Sequence, residues 1–157
     1  MAPGAFRLLV CDMLRRGYSV RFDANGTSMV PTISDGEILM VEPVDAKGVQ
    51  LGDVVLCDLG PRLVAHRLVR KRSVKTNVDP THVFCVRGDA SGASVDQVDG
   101  SRIVGRVQSV ERNGTRRAIP RVGPSRCARL LVLLRRGGAL CARGCRTSLG
   151  RESSLSC

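Results

Sequence analysis

The chain has 157 residues, enough for one domain with a core and short extensions, and 43% of them are hydrophobic, which excludes wholesale disorder. Aromatics amount to 3% with no Trp, so the core is aliphatic and few side chains are free to stack on nucleic-acid bases. Twenty-five basic against 14 acidic residues leave a formal charge of +11, which suits an anionic partner such as an acidic membrane surface; with no nucleic-acid reading motif, no nucleic acid is expected.

Residues 5–16 read as a short amphipathic helix. Phe6, Leu9, Val10, Met13 and Leu14 recur at three- and four-residue spacing, and Gly17 stops it. Arg7 breaks its apolar run, and Leu130–Leu134 is far too short for a bilayer crossing. No transmembrane anchor is expected within this chain, which points to a cytoplasmic or peripheral-membrane location, although an upstream start adding an apolar segment would restore an anchor.

From Tyr18 to about Ile119 the texture is β. Candidate strands are 18–22, 37–41, 53–57, 62–70, 83–86, 103–110 and 115–119, separated by Gly, Asp and Pro. Asn113-Gly114 is a strong hairpin turn, and Gly88–Asp96 reads as an acidic loop. Many short strands at this spacing predict a mainly β fold, a compact barrel or sandwich.

Past Pro120, residues 125–136 read as a helix of interleaved Leu and Arg ended by Gly137-Gly138, and 139–157 are expected to be disordered. The expected organisation is an N-terminal helix (1–17), a β domain (18–120) and a basic tail with a short helix (121–157). That tail helix could touch anionic lipid or pack on the domain.

Seven cysteines, an odd number without a C-x-x-C pair, argue against a disulfide framework and for a reducing compartment. Cys141 and Cys145 have no histidine near them, so a zinc site is a weak idea, and no metal or cofactor is called for. Cys57 and Cys85 sit in apolar strands and read as core.

The candidate chemistry lies in three contexts. Ser28 stands in Gly26-Thr27-Ser28-Met29-Val30-Pro31-Thr32. Gly26 lets backbone approach a ligand closely, and a loop at a strand end can present Oγ and free N–H groups together, as an oxyanion hole requires. His66, in Val64-Ala65-His66-Arg67-Leu68, shares a strand face with Val64 and Leu68 and can serve as a base. Asp89 and Asp96 lie in the acidic loop, where Asp96 and Ser94, two residues apart, can face His66 together. Hydroxyl, imidazole and carboxylate are the inventory of a serine hydrolase. His82 reads as an exposed turn residue. Each residue taken alone also has an ordinary structural reading: a turn serine, a core histidine, a solvated loop carboxylate.

The ordered boxes Gly26-Thr27-Ser28-Met29-Val30-Pro31-Thr32, Asp35-Gly36-Glu37, Leu51-Gly52-Asp53-Val54-Val55, His66-Arg67-Leu68-Val69, Gly88-Asp89 through Asp96 and Ile103-Val104-Gly105-Arg106-Val107 together resemble the type I signal peptidase family, from about Tyr18 to Glu111. The resemblance implies a largely β catalytic domain, cleavage of peptides after small residues, and Ser28 as nucleophile. Most bacterial members carry Lys where this chain has His66, so the resemblance is to the endoplasmic-reticulum and archaeal branch. It implies that His66 takes the serine proton and Asp96 orients His66, with Asp89 as the alternative orienter. Gly26, Thr27, Met29 and Ser94 would frame the oxyanion and the substrate, which would be a peptide or preprotein. The family's hydrophobic N-terminal segment is replaced here by the arginine-bearing helix.

Two other readings compete. A self-cleaving repressor-type protease domain shares this β architecture but uses Lys, and Lys71 and Lys75 lie several residues past the His66 slot. A catalytically inactive peptide-binding module would keep the scaffold without the reaction.

Overall fold

The computed structural model describes residues 3–74, 81–90 and 95–122. Helix α1 (Pro3–Arg15) begins two residues earlier than the sequence reading, on a proline whose missing N–H would have no helical partner anyway. It ends where Gly17 turns left-handed, at φ 89°. The Gly17 N–H donates to the Leu14 carbonyl and the Tyr18 N–H to that of Met13, both at 3.0 Å, a paired closure of the last turn. Val10, Cys11 and Leu14 form its buried stripe, whereas Leu9 is 52% exposed. The apolar face is therefore rotated from the one read off the periodicity.

Eight strands follow: β1 (Val20–Asp23), β2 (Ile38–Pro43), β3 (Val54–Asp58), β4 (Leu63–Val74), β5 (Thr81–Arg87), β6 (Asp96–Asp99), β7 (Ile103–Arg112) and β8 (Thr115–Ala118). They form one sheet in the order β1-β2-β7-β3-β4-β5-β6, with β8 on β7. Every pairing is antiparallel. The mainly β reading holds, and Asn113 (φ 50°) and Gly114 (φ 74°) make the β7–β8 turn.

β3 is buried on both faces, as its unbroken apolar run Val54–Cys57 requires. Val54 and Leu56 enter a core with Val10, Cys11 and Leu14 of α1, Met29, Ile33, Leu39 and Val107. Val55 and Cys57 enter a second core with Leu68, Phe84, Val86, Val98 and Ile103. Cys57 and Cys85 are buried as expected.

Three local expectations change. The acidic loop ends in a strand, β6, whose sequence Asp-Gln-Val-Asp offers only Val98 to the core. β4 runs on to Val74. His82 is a half-buried residue of β5 rather than an exposed turn residue, and its Nδ1 is inaccessible to solvent. The expected tail helix at 125–136, the tail, Ser94 and Cys127, Cys141, Cys145 and Cys157 lie outside the described residues. Among the described residues, no helix is long and apolar enough to cross a membrane.

Candidate active site

A cavity of about 720 Å³ opens between the Ser28 loop and the first half of β4. Gly26, Thr27, Ser28 and Met29 form one wall; Pro61 to His66, with Asp96, form the other; Phe6, Phe22, Leu39 and Leu56 make an apolar floor. Phe6 and Phe22 meet edge to face at 5.4 Å, so α1 helps to close the floor.

The serine loop is held from several sides. Gly26 has φ 107°, a conformation costly for any residue with a Cβ, and its N–H donates to Asp35 Oδ1 at 2.6 Å. Met29 and Ile33 plug into the core, and the Ile33 N–H donates to the Met29 carbonyl at 2.9 Å. The Val30–Pro31 peptide is cis. Ser28 itself is exposed, and its carbonyl accepts the Ala90 N–H at 2.9 Å, which ties the loop to the segment after β5. The N–H groups of Ser28 and Met29 and the Ser28 hydroxyl make no hydrogen bond among the described residues. Free donors beside a free hydroxyl are what a tetrahedral oxyanion needs.

His66 stands on β4 opposite Val55, on the face of the second core. Burial pushes its pKa below the ordinary imidazole value of 6.5; Asp96 pulls it back up and Arg62 pushes it down again. The ring is therefore neutral at neutral pH and able to accept a proton. Asp96 opens β6 and places Oδ2 3.5 Å from His66 Nδ1, an ionic contact rather than a hydrogen bond: Nδ1 is buried and makes no hydrogen bond among the described residues. The Asp96 side chain is 50% exposed and the His66 side chain 13%. Ser28, His66 and Asp96 thus line one cavity.

Asp89 is used differently. Arg67 Nε donates to its Oδ1 at 2.8 Å and Arg67 Nη2 to its Oδ2 at 2.6 Å, a two-pronged pair. Thr32 Oγ1 also donates to Asp89, and Arg67 Nη1 donates to the carbonyls of Gly52 (2.7 Å) and Pro120 (3.1 Å). The Arg67 side chain is 1% exposed. Arg67 was not singled out by its sequence context, although an arginine alternating with core residues demands a buried carboxylate, and Gly88-Asp89 offers one. Arg117 was likewise missed. Its Nη2 donates to the Thr32 carbonyl at 2.7 Å and to the buried Glu37 carboxylate at 2.9 Å. Burial works against ionisation of Glu37, but the Ser34 N–H and Arg117 outweigh it and hold its carboxyl below the usual range.

Lys71 sits far along β4, its Nζ donating to the Ala46 and Lys47 carbonyls and lying 5.3 Å from the centre of the Phe84 ring. No group of metal-ligating side chains gathers among the described residues. The chain matches no protein-family model, no curated protein and no solved structure.

Proposed function

We propose that this protein is a serine endopeptidase of the type I signal peptidase kind, cleaving an extended peptide after small residues. The observation that carries this reading is the convergence of Ser28, His66 and Asp96 on one cavity, with the Asp96 carboxylate facing His66 Nδ1. The mainly antiparallel sheet is compatible with the catalytic domain that the resemblance implies. Beside it runs a stretch of β4 edge that is unpaired among the described residues. Leu63–His66 pair with β3, whereas β5 begins to pair with β4 only at Arg67. An extended peptide laid along Leu63–His66 would continue the sheet and gain main-chain hydrogen bonds without demanding a sequence. Its scissile carbonyl would then lie between β4 and the Ser28 loop.

In the reaction, Ser28 Oγ attacks the carbonyl carbon while His66 Nε2 takes the hydroxyl proton. The Ser28 and Met29 N–H groups hold the oxyanion. As the tetrahedral species collapses, the C–N bond breaks and His66 gives its proton to the leaving amine. Water, deprotonated by His66, then releases the acyl group from Ser28. Asp96 keeps the Nδ1 side of the ring protonated and facing it.

The test is turnover of a peptide carrying Ala-x-Ala before the cleaved bond. Ser28→Ala and His66→Ala are each expected to lower kcat by about six orders of magnitude. Wild-type turnover by either folded variant overturns the assignment.

A further inference from the structure

Nine arginines of the described residues make an ion pair or a hydrogen bond: Arg7 with Asp58, Arg16 with Asp12, Arg21 with Glu111, Arg67 with Asp89, Arg102 with the Asp58 carbonyl, Arg106 with Glu42, Arg116 with Ser109, Arg117 with Glu37 and Arg121 with Asp53. Of the other six, Arg15 lies on α1, Arg62 just before β4 and Arg112 at the end of β7; the remaining three share one sheet face. Arg70 and Arg72 on β4 and Arg87 on β5 have no carboxylate partner among the described residues.

Register places these three on one sheet face. Arg67 stands opposite Arg87, Arg70 opposite Cys85, and Arg72 opposite Val83. Directly opposed residues project to the same side, and Val83, Cys85 and Arg87 alternate along β5, so all three cations project to the side away from Phe84 and Val86. A bulge between Leu68 and Arg70 brings this about, because it shifts the alternation of β4 by one. Across β5 from Arg72, the register position on β6 is Asp99, whose carboxylate is turned to the Ser101 N–H at 2.8 Å. Gln97 is the neighbour of Cys85.

We propose that this outer face of β4 and β5 is a docking surface for an anionic phospholipid membrane. Arg70 and Arg72 stand two residues apart on β4 and Arg87 lies diagonal to Arg70, so these like charges repel each other. An array of phosphates relieves that repulsion, and guanidinium groups bind phosphate with two donors at once. The three arginines line neither the Ser28 cavity nor a second one walled by Phe84 and His82. Arg70 and Arg72 are exposed and Arg87 half-buried, so their charge is spread along one sheet face and suits a planar array of headgroups. Val83 and Cys85 stand between them in place of the aromatic side chains on which single-stranded nucleic acid stacks. The stripe begins beside Arg67, which clamps the serine loop through Asp89 and Thr32. Docking by this face would bring that loop near the lipid surface.

The full chain is tested for co-sedimentation with phosphatidylcholine vesicles with and without phosphatidylserine. Wild type is expected to bind only the anionic vesicles and to be released by salt. At roughly fivefold for each cation at an anionic surface, the combined Arg70→Gln, Arg72→Gln and Arg87→Gln variant is expected to lose about a hundredfold in partitioning, and Arg→Lys at the same positions to keep most of it. If the triple variant fails to fold, as judged by circular dichroism, Arg72→Gln alone is expected to lose about fivefold. Undiminished binding by the folded glutamine variants overturns the proposal, as does equal binding of wild type to both kinds of vesicle. Loss of binding to a single-stranded oligonucleotide with vesicle binding intact overturns it in favour of nucleic acid. Ser28→Ala is expected to bind vesicles like wild type, so this result is independent of peptidase activity.

Discussion

Asp89 and Asp96 come from one short stretch of chain, but only Asp96 lines the cavity, and the fold treats the two as opposites. Asp89 has a 10% exposed side chain and is gripped on both oxygens by an arginine that is itself 1% exposed. Asp96 is 50% exposed and meets a neutral imidazole at 3.5 Å. The first pair welds three segments together: the Ser28 loop through Thr32, the end of β5 through Asp89, and the chain at Pro120. The second holds nothing in place and leaves a proton acceptor among the residues that line the cavity. Burial separates the two roles. A carboxylate out of water must be fully paired, whereas one at the surface can face a partner that changes its charge.

The widest separation comes from breaking each pair. Arg67→Met leaves Asp89 buried without its counter-ion, and a loss of about 3–5 kcal/mol is expected. Asp96→Asn removes a surface contact and is expected to change stability by less than about 1 kcal/mol. Urea unfolding of both variants measures the difference, and equal losses would erase the distinction. Peptide turnover is expected to rank them otherwise, with folded Asp96→Asn strongly impaired because the His66 tautomer is no longer held.

Acid gives a middle-sized test on a second buried carboxylate. Glu37 has its pKa lowered in the folded state, so the unfolded chain takes up the proton first as pH falls. The stabilisation is therefore complete above the unfolded value, about 4.3, and fades as pH drops from there through the folded one. Glu37→Gln is expected to cost about 1–3 kcal/mol at neutral pH, with the gap from wild type closing in acid. A gap that stays constant down to the acid end would remove Glu37 from the set of working charges.

The strands were legible because β alternation and turn residues agree along most of the chain. Val54–Cys57 announced a strand buried on both faces, and Asn113-Gly114 announced its hairpin. The site residues were legible as separate boxes, and the fold brings Ser28, His66 and Asp96 to one cavity. What escaped was set by partners distant in sequence. Arg67 shows its function only when Asp89, 22 residues on, is seen opposite it. β6 escaped because two aspartates and a glutamine outweigh its one buried valine. The arginine stripe escaped for a geometric reason. Simple alternation puts Arg70 and Arg72 on the face of Leu68, and the bulge in β4 turns them to the other side.

The smallest expected effect is a shift along the pH axis, and its direction sharpens the role of Asp96. His66 has its pKa lowered chiefly by burial, so kcat/KM is expected to stay level through neutrality and fall only at a pH below the ordinary imidazole value. Asp96 raises that pKa and Arg62 lowers it. Asp96→Asn should therefore move the acid limb to still lower pH, and Arg62→Gln should move it up toward 6.5. The ring signals of His66, followed by NMR, should shift in the same two directions whether or not a variant turns over substrate. Folding stability carries the same sign: the unfolded histidine binds its proton before the folded one, so His66 costs stability as pH falls below about 6.5, and more so in Asp96→Asn. A profile that moves the same way in both variants would detach Asp96 from His66.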